Sequence, residues 1–251
     1  MIDFNIMFFA VAIPAVIFAG ISKGGFGSGA SFVSAAILAL ILPPEVALGL
    51  MLPLLMLIDV GSLSSYWGKW SWRDASRVIW GSLPGVALGS LVFSIANPDV
   101  IRFLIGAIAI AFVAWNISKS RGWVPVPDKP LPASAGVLAG SVGGFTSFVS
   151  HAGGPPVAVY LLSQKLDKTT YQASTVLIFW VMNILKFVPY AALGAFTSDT
   201  WLAGALLAPV ALFGTWLGVK AHRIVSERAF FTITYVLLVV TGVRLIWTSL
   251  T

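Results

Sequence analysis

The sequence contains no cysteine and very little charge. Without thiols there can be no disulfide, no thiolate metal site and no sulfur relay through cysteine. Charged residues make up 10% of the 251 positions, against about 25% in an ordinary soluble domain. Only two histidines are present, His151 and His222, and no HExxH motif occurs. A metal cluster or a nucleophile–base pair, which an intramembrane enzyme would need, is not visible. The short alternating segments of a membrane β-barrel are also missing.

What fills the chain is apolar sequence, 58% of it. Apolar runs lie at about 4–21, 30–42, 44–66, 76–96, 98–117, 132–149, 156–163, 170–195, 200–221 and 229–248. Most are near the ~20 residues that carry a helix across a bilayer. The pattern predicts an all-α polytopic membrane protein of about ten helical segments. The opening "MIDFNIMFFAVAIPAVIFAG" has no basic leader and no small-residue cleavage site, so it is expected to stay as the first helix. No cofactor is expected.

Two segments, 30–42 and 156–163, are too short to cross alone. Each follows a longer run across a break, "SKGGFGSGA" (22–30) or "SHAGGPP" (150–156). Each is therefore expected to return as the second arm of a helical hairpin. The breaks are in register. A shift of 126 residues places Gly27 on Gly153, Ala47 on Ala173, Met56 on Met182 and Gly68 on Gly194. Beyond a loop the shift becomes 129, which places Trp72 on Trp201, Gly85 on Gly214 and Gly89 on Gly218. This predicts a duplication: a first repeat at 1–117, a polar, proline-rich linker at 118–131, and a second repeat at 132–251.

Basic residues set the orientation. Eleven of the fifteen fall in four loops: Lys69, Arg73 and Arg77; Lys119, Arg121 and Lys129; Lys165 and Lys168; and Lys220, Arg223 and Arg228. Arg102 is the main exception. Lys/Arg bias marks cytoplasmic loops, and this accounts for the net charge of +6 without a nucleic-acid partner. A hairpin returns to the side it left. Each half then crosses three further times, so the halves are expected to be inverted, with both termini periplasmic in a cell inner (cytoplasmic) membrane. Inverted repeats with broken helices meeting near the midplane are a common architecture of secondary transporters.

At the two breaks, "GISKGGFGSGASF" (20–32) and "SFVSHAGGPPVAVYLL" (147–162), the sequence resembles the TauE/SafE family of sulfite exporters. The run "ASTVLIFWVMNILKFVPYAALG" (173–194) extends the likeness, which covers almost the whole chain. Ser28 and Ala30 interrupt the glycine run usual at the first motif. The resemblance implies export of a small anion, most directly sulfite or an organosulfonate such as sulfoacetate, in a lipid bilayer. A homodimer is compatible with it.

Glycine and proline breaks free backbone groups that hydrocarbon cannot satisfy, so they must line a cavity or be buried in protein. Gly25, Gly27, Gly153 and Gly154 are accordingly candidates for lining a site, with positive φ expected at Gly27 and Gly153. Gly85, Gly89, Gly214 and Gly218 are expected to serve close packing. Helix starts near Gly29 and Pro156 would favour an anion. Ionisable residues within spans default to functional candidates. Here they are Lys23, Asp59, His151 and Lys186. Aligning the halves predicts two clusters, Lys23 with Asp59 and His151 with Lys186. Lys186, with Ser28, Ser147, Ser150 and Asn183 as hydrogen-bonding neighbours, is expected to touch the anion. Asp59 or His151 could carry a coupled proton. A channel, a carrier of another ligand and a non-transporting scaffold remain as alternatives.

Overall fold

The computed structural model describes residues 2–26, 29–123, 129–221 and 226–251. The described residues form α1 (Ile6–Ile21), a π-helical turn (Ser22–Phe26), a single 3-10 turn (Gly29–Ser31), α2 (Phe32–Leu38), α3 (Pro44–Tyr66), α4 (Trp72–Ile95), α5 (Pro98–Ser120), α6 (Ala133–Ser150), α7 (Gly154–Ser163), α8 (Lys168–Ala192), α9 (Ser198–Ala221) and α10 (Glu227–Leu250). Eight of these helices are long and apolar enough to cross a membrane; α2 and α7 are not. The chain is a multi-span, all-helical membrane protein, with the two short arms where the sequence placed them.

Local signals set the helix ends. Asn5, Asn97, Asp167 and Ser226 each accept main-chain N–H bonds in the first turn that follows, which satisfies donors a helix start leaves open. Pro98 stands at the first position of α5, where its missing N–H costs nothing. Just past the ends of α3 and α8, Gly68 and Gly194 take φ of +73° and +71°. A Cβ would be strained there, and the two glycines are 126 residues apart.

α3 packs on α8 at the centre. Around them α4 packs on α6, α1 on α9 and α5 on α10. Glycines make these contacts close. A Cβ on Gly85 would stand 1.9 Å from the Ser141 carbonyl oxygen, and one on Gly140 would stand 2.2 Å from that of Val78. Gly20 lies on Gly214, Gly218 on Ile21, and Gly106 on Gly242. Between membrane helices, packing and not hydrophobic burial drives association, and small residues permit it. The 126/129 shift exchanges α4 with α9 and α6 with α1, so the α4–α6 and α1–α9 contacts are counterparts. Gly85, Gly89, Gly214 and Gly218 all serve packing, as expected from their spacing.

Exposed Trp67, Trp72, Trp201 and Trp247 lie near helix ends, where interfacial tryptophans sit. At the end bearing the basic loops, Arg77 Nη1 donates to Asp74 Oδ1 (3.2 Å) and to the Tyr160 hydroxyl (3.0 Å). That hydroxyl donates to Asp74 in turn. This network ties α4 to the short arm α7.

Candidate functional site

The second hairpin tip is built on a helix stop with an unusual occupant. α6 ends as His151 N–H donates to the Ser147 carbonyl (2.9 Å) and Ala152 N–H to that of Thr146 (3.2 Å). The first of these is the single bond of the αL helix stop, whose left-handed position usually holds glycine. Here it holds His151, with φ 57° and ψ 16°. The positive φ expected at Gly153 therefore falls at His151 instead. Gly153 itself has φ −72°, an ordinary helical value. The smallness of Gly153 still matters. A Cβ there would meet the Gly143 carbonyl oxygen at 2.8 Å and the Phe179 ring at 3.1 Å.

The returning arm α7 begins at Gly154, with Pro155 and Pro156 in its first turn. Two of the first N–H groups are thus absent. The anion-attracting helix start expected near Pro156 keeps only part of its donors.

His151 places its imidazole between two fixed partners. Nε2 lies 3.1 Å from the Leu48 carbonyl oxygen of α3. A carbonyl only accepts, so Nε2 carries the proton and donates. Nδ1 of the neutral ring then has a lone pair, and Lys186 Nζ lies 2.9 Å from it. The same ammonium donates to the Ser147 hydroxyl (2.9 Å) and the Ser147 carbonyl (3.1 Å). An ammonium has three donors and no acceptor. All three are used on neutral groups, and the side chain is fully buried.

The first tip is different. Lys23, in the π-helical turn, pairs with Asp59 of α3 at 2.5 Å. The other Asp59 oxygen accepts from the Asn183 amide at 2.6 Å. The sequence groups Asn183 with the second cluster; it stands instead between the two, one helical turn from Lys186 on the same face of α8. The expected pairs thus both form, and Asn183 joins them into one polar region.

Both tips face a single cavity. Lys23, Asp59 and Asn183 line it on one side and Ser147 and His151 on another, with Ser31, Leu55, Ser62, Gln172, Thr175, Val176 and Phe179 completing the wall. Its volume for the centre of a water-sized sphere is about 20 Å³. A single water needs about 10–15 Å³ on this measure, so the cavity has room for one or two waters. Lys186 stands one layer behind the wall, screened by Ser147 and His151, and does not touch the cavity in this conformation.

Other predicted site residues lie elsewhere. Gly25 packs on the backbone of Gly218. Ser150 is buried and donates back to the Thr146 carbonyl. Gly154 borders a second cavity towards the basic-loop end. Gly27, Ser28 and His222 lie outside the described residues. Gln172, Thr175, Phe179 and Asn183 form a stripe along α8 at helical spacing. Of that stripe only Asn183 was singled out in the sequence; Gln172 and Thr175 lie at the more polar start of the 170–195 run.

Eight helices long and apolar enough to cross a membrane, with two hairpins meeting at a small cavity, make this a polytopic membrane protein. The family model for the sulfite exporter TauE/SafE matches residues 12–245. The chain therefore belongs to the TauE/SafE family, a family of membrane anion transporters. Searches of curated proteins and of solved structures gave no significant match.

Proposed function

We propose that this protein is a secondary carrier that exports sulfite or a small organosulfonate through the cavity between its hairpin tips. One observation carries this reading. Lys186 is an amine buried one layer behind the cavity, with neutral partners only, while Lys23 is balanced by Asp59. When Lys186 is protonated, the region keeps one positive charge. A buried charge without a partner is costly, and an oxyanion at Ser147 and His151 would offset it. At ~6 Å and an effective dielectric near 20, that attraction is worth about 3 kcal/mol.

The two halves, 1–117 and 132–251, are inverted repeats with the basic loops in the cytoplasm and both termini in the periplasm of the inner membrane. The matching helix contacts and the paired Gly68 and Gly194 support this arrangement. Alternating access would rock one set of contacts against the other. Asp59 and His151 are the groups placed to carry a coupled proton.

Purified protein in proteoliposomes loaded with radiolabelled sulfite should exchange it for external sulfite. It should also respond to sulfoacetate as a competitor. Sealed vesicles showing the same flux with and without protein would leave a scaffold as the better description.

A further inference from the structure

Four basic residues lie outside the basic loops: Lys23, Lys186, Arg102 and Arg244. The first two belong to the central site. The other two, on α5 and α10, open onto one cavity of about 260 Å³ at the end opposite the basic loops, against residues 39–43 after α2. Arg102 Nη1 donates to Asp99 at 2.6 Å. No hydrogen-bond partner is seen for the Arg244 guanidinium among the described residues, and the residue is exposed. Two arginines thus line this cavity, and Asp99 pairs with one of them.

The position of this cavity is not arbitrary. Its α5 and α10 wall is Arg102, Arg244, Leu245 and Thr248. The 129-residue register carries these positions onto Phe231, Trp115, Asn116 and Lys119. All four line another cavity, of about 170 Å³, at the basic-loop end. The two cavities are thus counterparts at opposite ends of the molecule, and each holds a cation, though at different positions of the shared wall. The cavity at the basic-loop end also shares Thr175 and Phe179 with the central one. The arginine cavity shares no wall residue with it.

We propose that Arg102 and Arg244 form an oxyanion-binding exit site on the outer side, the counterpart of an entry site at Lys119 separated from the centre by Phe179. This rests on the carrier reading above and on its orientation. Arginine suits the role, because its planar donors match tetrahedral and pyramidal oxyanions. The same chemistry could bind the phosphate of an anionic lipid headgroup, so the test separates the two sources.

The protein in nanodiscs of zwitterionic lipid is treated with an arginine-specific dicarbonyl reagent. Modification of Arg102 and Arg244 is followed by peptide mass spectrometry with and without methanesulfonate, which, unlike sulfite, does not add to the reagent's carbonyls. Saturating methanesulfonate should slow both several-fold. An unchanged rate overturns the exit site. Slowing by phosphatidylglycerol without any response to methanesulfonate assigns the cavity to lipid and overturns it equally. In proteoliposomes, R102Q/R244Q should raise the half-saturating sulfite concentration on the outer side about tenfold and leave the inner side unchanged, and Lys119→Gln should do the reverse. Equal shifts on both sides also overturn it. Protection by methanesulfonate in a protein that shows no sulfite flux would retain the site and remove the carrier reading instead.

Discussion

At the first hairpin tip a lysine meets an acid; at the second a lysine meets only a histidine, a hydroxyl and a carbonyl. The frame is shared. Each tip follows a long arm, faces the α3–α8 pair and precedes a short returning helix. What differs is the charge left over. Lys23 and Asp59 cancel. Lys186 has three neutral partners, and when it is protonated nothing beside it cancels the charge. A duplicated scaffold can hold one charge-balanced tip that fixes geometry and one unbalanced tip that attracts a ligand.

The largest effect should come from unbalancing the first tip. Lys23→Ala leaves Asp59 buried with only Asn183 beside it. Breaking a buried ion pair costs about 3–5 kcal/mol, so thermal unfolding should move down sharply. Adding Asp59→Asn should restore most of the loss. A double variant as unstable as the single would mean that Lys23 matters for something other than that charge.

Next comes packing at the first tip. A Cβ on Gly25 would stand 2.3 Å from the Gly218 carbonyl oxygen, a backbone atom that cannot step aside. Gly25→Ala should cost about 1–3 kcal/mol, read as a lower melting temperature without a change in sulfite affinity. A Cβ on Gly61 would meet nothing within 4 Å. Gly61→Ala is the control and should not destabilise. An affinity change in Gly25→Ala would move this glycine back to the ligand site.

His151→Gly sharpens the comparison at the second tip. Glycine suits the left-handed position, so the helix stop survives while the imidazole is removed. Sulfite affinity should fall about tenfold, or about 1.4 kcal/mol, in a titration on folded protein. Unchanged affinity would reduce His151 to a helix cap.

The smallest effect lies away from both tips. Asp167 caps α8 from outside the membrane span. The Thr170 hydroxyl, and then the main-chain N–H groups of Thr170 and Thr169, hold its carboxyl below the ordinary 3.8. A depressed carboxylate contributes stability that is complete above its unfolded value and is lost as pH falls through its folded one. Asp167→Asn should keep the cap and flatten the small loss of stability seen below about pH 4 in parallel acid titrations.

Much of the fold was legible because membranes limit the choices. Apolar run length gave the eight crossing helices, and the glycine breaks gave both short arms. The four intramembrane ionisable residues stood out because burial makes them costly, and they do meet in the predicted pairs. Other features were not legible. The π-helical turn shares its residues with an ordinary helix end. Nothing local says that His151 and not Gly153 takes the left-handed position, since that follows from where α6 stops. The bridging role of Asn183 depends on how far α3 slides along α8. Arg244 is a charge inside the apolar run 229–248 that was passed over in reading the spans, and its place beside Arg102 shows only once α10 packs on α5.

The central claim is that anion affinity follows the unbalanced lysine and not the balanced one. Its most direct test is a calorimetric titration of sulfite into the purified parent, Lys186→Ala and the Lys23→Ala/Asp59→Asn double variant. The account predicts a loss of roughly ten- to hundredfold for Lys186→Ala, from about 1.5–3 kcal/mol of charge interaction. The double variant, with the same net charge as the parent, should bind nearly as the parent does. Parent-like binding by Lys186→Ala, with loss in the double variant, would contradict it and place the anion at the first tip.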